Sequence, residues 1–163
     1  MIKIVIADTG ALISLGILGK IDLIEKVFGD FYIANAVWEE LQAYKNPEFD
    51  KTLLYELGKR VVKIRSKNHL LVIMDYGESE SVILYEELCA DYLLIDDNRA
   101  RIIAESCNVN CIGSIGLLFK AKQNGLINDL KPIFRKLIEN ERFFSKKILN
   151  MVLIQAREEP MKQ

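Results

Sequence analysis

Histidine is almost missing from this chain: His69 stands alone, which excludes a zinc centre built on several imidazoles. Cysteine is scarce too. Cys107 and Cys111 supply at most half of a metal site and read as small buried hydrophobes, and with Cys89 the count is three. An odd number gives no closed disulfide framework and points to a reducing compartment. The opening MIKIVIADTG has no signal-cleavage pattern. No apolar run approaches the roughly 20 residues that span a bilayer. The expected location is therefore the cytoplasm, with no membrane partner. Three prolines and nine glycines, none clustered, leave no linker and no repeat. Nor is there an excess of one charge. A formal net charge of −1 excludes a global positive field, so any nucleic acid must be met by a local patch.

What is present suits one folded unit. Half of the 163 residues are hydrophobic and 28% are charged, enough to bury a core without cross-links. Short β-branched runs alternate with helical patterns. IKIVIA (2–7) is apolar on both faces, as the middle strand of a parallel sheet must be. GALISLGIL follows as a buried helix, then LIEKVFG (23–29) as a short helix ending at Gly29. FYIA (31–34) is a strand, and Asn35 is placed to cap a helix from Ala36 to about Tyr44. Asn46-Pro47 breaks that helix, and another runs on to Leu57. VVKI (61–64), YLLI (92–95) and VNCI (109–112) are further strands; LLVIM (70–74) reads equally as a strand or a helix lead-in. Helices are expected from Gly77 to about Ala90, Asp97 to Cys107, Gly113 to Asn124, and over 129–139 and 144–157. This β-α-β-α order predicts an α/β fold, a three-layer α/β/α sandwich around a mostly parallel sheet of four to five strands.

Sites in open α/β sheets gather at the carboxyl ends of the strands. Two acids fall there. Asp8 follows the first strand directly, with Thr9 placed to cap the helix behind it, and Asp96 directly follows YLLI. Two helical acids join them by angle, at about 100° per residue. Glu40 lies beside the Val37–Leu41–Tyr44 face, whereas Glu39 points away. Glu78 aligns with Val82, Tyr85 and Cys89, with Glu80 and Glu87 on the other side. Gathering such charges is costly without a cation: two of them about 4 Å apart repel by roughly 4 kcal/mol at an effective dielectric of 20. Oxygen-only donors suit Mg²⁺ or Mn²⁺, ions that serve phosphodiester hydrolysis. Taken singly, each acid reads more readily as a helix cap or surface residue; the paired placement of Asp8 and Asp96 is what favours function.

The stretches IVIADTGALISL, FYIANAVWEEL, YGESESVILYEELCADYLLIDDNRARIIAE and CIGSIGLLFKAKQNGLI resemble the PIN domain superfamily, which includes the VapC-like toxins of toxin–antitoxin pairs. The similarity is to a prokaryotic PIN-like branch and covers about residues 3–127, with the C-terminal helices also fitting. It implies a PIN-like nuclease core over 1–127 and helices over 128–163 packed on the same domain. It implies acids around one or two Mg²⁺ or Mn²⁺ ions and cleavage of single-stranded RNA. By position, Asp8, Glu40, Glu78 and Asp96 take the places of the acids, with Glu78 where many members have Asp. Thr9 matches the hydroxyl beside the first acid, and Asp97 is a substitute or additional ligand. A homodimer and a small antitoxin partner are implied by the same resemblance.

For substrate contact, Lys63, Arg65 and Lys67 share one face of an extended segment and can track a phosphate backbone, or merely charge a sheet edge. Arg99 and Arg101 lie next to the proposed site, to touch RNA or merely to pair with surface acids. Ser114, between Gly113 and Gly116, opens a helix that can receive a phosphate or is simply a capped turn. Two other functions compete. One is a catalytically silent PIN-like module that binds RNA or protein. The other is a different metal-dependent phosphohydrolase, although the second Asp of haloacid-dehalogenase-like phosphatases is missing two residues after Asp8.

Overall fold

A computed structural model describes residues 1–162. Five parallel strands form one sheet: β1 (Lys3–Ala7), β2 (Gly29–Ala34), β3 (Val61–Val62), β4 (Tyr92–Leu94) and β5 (Cys111–Ile112), in the order β3-β2-β1-β4-β5. The apolar β1 takes the centre, where both of its faces meet helices; Val5, Ile6 and Ala7 are fully buried. Around the sheet lie α1 (Thr9–Ile17), α2 (Leu23–Val27), α3 (Asn35–Ala43), α4 (Leu53–Gly58), α5 (Tyr76–Glu87), α6 (Asn98–Ser106), α7 (Ser114–Gln123), α8 (Lys131–Glu139) and α9 (Lys146–Gln155). This is the expected three-layer α/β/α sandwich. The chain order reverses between β1 and β4, so the switch point of the sheet lies at the carboxyl ends of these two strands. Their register pairs Ala7 with Leu94, and the Asp8 amide donates to the Leu94 carbonyl at 2.9 Å. Asp8 and Asp96 thus emerge side by side.

The C-terminal helices join the same core. Phe134, Leu137, Leu149 and Leu153 are buried in one cluster with β1 and α1. Each such burial removes apolar surface worth about 1.5–3 kcal/mol. No described helix is long and apolar enough to cross a membrane.

Several local expectations are corrected by long-range contacts. Gly29 does not end a helix; it begins β2 at φ +128, pressed so close to β1 that an added Cβ would stand 3.0 Å from the Lys3 carbonyl. Asn35 is not a cap either. The helix starts at Asn35 itself, and its free Ala36 amide is taken at 2.9 Å by Glu80, a buried carboxylate from α5. Thr9 is the first residue of α1 rather than its cap, which is Asp8. VVKI shortens to Val61–Val62. LLVIM resolves to the second of its two readings, a helix lead-in rather than a strand: a 3-10 turn covers His69–Val72 ahead of α5 and leaves Leu71, Val72 and Ile73 exposed.

Candidate active site

Asp8 is the centre of the site. It is 5% exposed, and its nearest side-chain donor, the Ser81 hydroxyl of α5, is 3.5 Å away. Burial pushes its pKa up to about 7. The Thr9 amide opposes this, while the charges of Glu78, Glu40 and Asp96 push it further up. All three partner acids expected from the sequence therefore lie within electrostatic reach of Asp8.

Each of them is held by a different device. Glu40 is on the outer side of α3, yet its carboxylate accepts a hydrogen bond from the Thr9 hydroxyl and another from the Gly77 amide at 3.1 Å. Gly77 is required for this approach, because a Cβ there would stand 2.4 Å from Glu40 Oε1. Gly77→Ala is predicted to displace the Glu40 carboxylate rather than the backbone, since the obstructed group ends a flexible side chain. Helix propensity then favours alanine by up to about 1 kcal/mol. Thermal unfolding is expected to be unchanged or slightly raised, while any activity that uses Glu40 falls roughly 10- to 100-fold.

Glu78 is half-buried in the first turn of α5 and accepts from the Asp75 amide at 3.4 Å. Burial raises its pKa, and Asp97, Asp75 and Glu40 add to the rise. Asp96 takes the Ser114 amide at 2.7 Å and the Ser114 hydroxyl. Burial raises Asp96 too, against the pull of Ser114, Arg142 and Arg101. Asp97 turns to its own helix and caps α6 by accepting from the Ala100 amide at 2.7 Å. Both are therefore near the site, but Asp96 faces β5 and α7 whereas Asp97 faces Glu78.

The remaining expected residues divide. Arg99 lines a cleft of about 300 Å³ with Asp75, Glu78 and Asp97, next to the exposed Leu71–Ile73 edge. Ser114 is buried, and both of its donors go to Asp96. Lys63, Arg65 and Lys67 are exposed beyond β3, at the sheet edge remote from β4 and β5. Their segment is anchored by Glu87, which accepts from the Arg65 and Ser66 amides.

Sequence reasoning missed two residues that touch this region. Ser81 lies three positions after Glu78 on α5, so helical spacing signalled it. Arg142 gave no signal. It follows α8, 132 positions from Gly10, whose carbonyl it reaches at 3.0 Å while its Nε donates to Ser14 at 3.0 Å.

The donor set fits a hard divalent cation. It is all oxygen, and in Asp8 it contains a buried carboxylate whose charge lacks a close partner. Among the described residues, no three His, Cys, Asp or Glu side chains are drawn tightly enough to enclose an ion. In the chain as it stands, Glu40 and Asp96 are held instead by protein donors.

No curated protein is significantly similar to the chain. A family model described as a PIN domain matches residues 4–158, nearly the whole length. With its parallel sheet and its acids at the switch point, the chain belongs to the PIN domain superfamily.

Proposed function

We propose that this PIN domain is a metal-dependent endoribonuclease that cuts single-stranded RNA, acting as the toxin of a toxin–antitoxin pair. One observation carries the reading. The buried Asp8, at the carboxyl end of β1 with Asp96 beyond β4, has its pKa raised to about 7, and the charges of Glu78 and Glu40 on flanking helices and of Asp96 add to the rise. PIN domains in general are nucleases that use divalent ions.

Asp8, Asp96 and Glu78 would hold Mg²⁺ or Mn²⁺, with Asp97 as a further ligand beside Glu78. When bound, the ion supplies the positive charge that offsets the carboxylates and a phosphate under attack. Glu40, steadied by Thr9 and the Gly77 amide, would take the proton of an attacking water. Ser114 positions Asp96 rather than standing open to a phosphate. Arg99 and the Lys63, Arg65 and Lys67 edge would carry the RNA backbone. The exposed Leu71, Val72 and Ile73 supply an apolar face for a protein partner, a second copy or an antitoxin. Residues 1–127 would be the nuclease core, with the following helices part of the same domain.

The direct test is cleavage of single-stranded RNA by the purified chain. Activity that needs Mg²⁺ or Mn²⁺, stops with EDTA and is absent from Asp8→Asn supports the reading. Cleavage that survives both treatments refutes it. Neutralising Lys63, Arg65 and Lys67 together is predicted to weaken RNA binding and to lower the salt slope of log K by about 0.7 for each phosphate no longer neutralised. An unchanged slope would assign these residues to edge protection. A silent binding scaffold is the competing function, favoured by the protein donors already spent on Glu40 and Asp96. Calorimetric titration separates the two, because only the nuclease requires a tight divalent site.

A further inference from the structure

Asp96 also lines a hollow of about 590 Å³, larger than the Arg99 cleft and sharing no lining residue with it. It is lined by Ile112 at the end of β5, by Phe143 ahead of α9 and by Ile148 in α9. Most of the lining is apolar, and polar side chains come from Asp96, Asn98, Arg101 and Ser145. Phe143 is 97% exposed and Ile148 53% exposed, so a large aromatic ring stands in water with no core role. Arg101 uses its Nε on Glu105 at 3.0 Å; its Nη1 lies near Gly113, 3.8 Å from where a Cβ would be.

We infer that this hollow seats one unpaired base of the RNA strand, adjacent to the phosphate that is cut. Three features select that occupant. Apolar walls with few polar groups and a free aromatic ring fit a flat heteroaromatic ligand. An amide and a guanidinium can read the edge of a base, and Arg101 can also meet the phosphate that follows it. Above all, the hollow shares Asp96 with the acid cluster, so a base within it is already tethered to the reacting region. Phe143 is the stacking partner and Asn98 the edge reader, which makes the segment before α9 a source of substrate preference. This inference rests on the ribonuclease reading and extends it to a named subsite.

The test is made in EDTA, where the strand stays whole, with short single-stranded RNAs carrying one 2-aminopurine. Binding to the wild-type chain is expected to quench the fluorophore at one position of the strand. Phe143→Ala should abolish the quench and weaken binding roughly tenfold, the worth of one base stack, while Phe143→Trp should restore both. Because the ring is solvent-exposed, unfolding of the alanine variant is expected to match wild type. Equal quenching in wild type and Phe143→Ala overturns the subsite, as does binding with no quench at any position, the result if the hollow takes a protein side chain instead. The ribonuclease reading fails separately. Quench lost on Phe143→Ala with no metal-dependent cleavage leaves a base subsite on a silent scaffold; cleavage with an unchanged KM in Phe143→Ala removes the subsite alone.

Discussion

Asp8→Asn is expected to lose more than about 100-fold in cleavage and, most of all above neutral pH, to gain stability. The loss follows from removing a charged oxygen from the centre of the acid cluster, where even supporting residues of metal sites cost 10–100-fold. The gain follows from the raised pKa. A carboxyl whose pKa goes from an ordinary 3.8 to about 7 on folding favours the folded state most when protonated. Its contribution is complete below pH 3.8 and is lost as pH rises through about 7. The full rise of about three pH units corresponds to roughly 4 kcal/mol, the upper limit of what the neutral amide recovers. Urea unfolding in EDTA reads this directly. The variant should already be the more stable at pH 5, and its lead should widen until about pH 8. A gap that does not widen between these pH values would mean that Asp8 is not held in a charge-hostile site. Asn keeps the shape and the Ser81 contact while abolishing the charge, so altered packing cannot imitate the pH dependence.

Divalent ions should reverse that penalty in the wild-type chain only. A ligand that binds the folded state at 100 times its Kd stabilises it by about 2.7 kcal/mol. For a domain of this size that corresponds to a rise in Tm of roughly 5–10 °C. The effect should be larger at pH 8 than at pH 6, because a proton on Asp8 competes with the ion for the same oxygens. Asp8→Asn and Asp96→Asn should both show little or no rise. Calcium and magnesium can be compared in the same assay: a site built by a few carboxylates and completed by water suits the smaller ion. A Tm that ignores Mg²⁺ and Mn²⁺ at every pH would leave the scaffold function as the better account. The carboxylates would then be structural, with Glu40 and Asp96 satisfied by Thr9, Gly77 and Ser114.

The α/β class, the central place of β1 and the positions of Asp8 and Asp96 were legible in the sequence. Each is a local matter: an apolar run buries on both faces, and the first acid behind it marks the end of a strand. Helical angles set Glu40 and Glu78, whose charges reach Asp8, apart from Glu39 and Glu80, but they misjudged burial: Glu40 is exposed and Glu80 is buried. Local patterns failed where a group is satisfied by a residue far along the chain. Asn35 has the chemistry of a cap, but Glu80 holds the helix start from 44 positions away. Gly29 resembles a helix stop, but its backbone is shaped by the closeness of β1. Asp96 and Asp97 are equivalent as letters; only Ser114 on α7 and the Ala100 amide give them different partners. The basic run kept its charge while losing its strand, because β3 pairs with β2 for only two residues.

The sequence by itself determined which acids follow strands, since an apolar run and the place where it ends are properties of the nearest few residues; it did not determine which helical acid is buried, because Glu80 goes inside to meet the distant Ala36 amide. Tertiary structure alone decided how those acids are held and charged. Desolvation of Asp8, the reach of Gly77 to Glu40 and the arrival of Arg142 from the far end of the chain all depend on which distant elements the sheet order brings together.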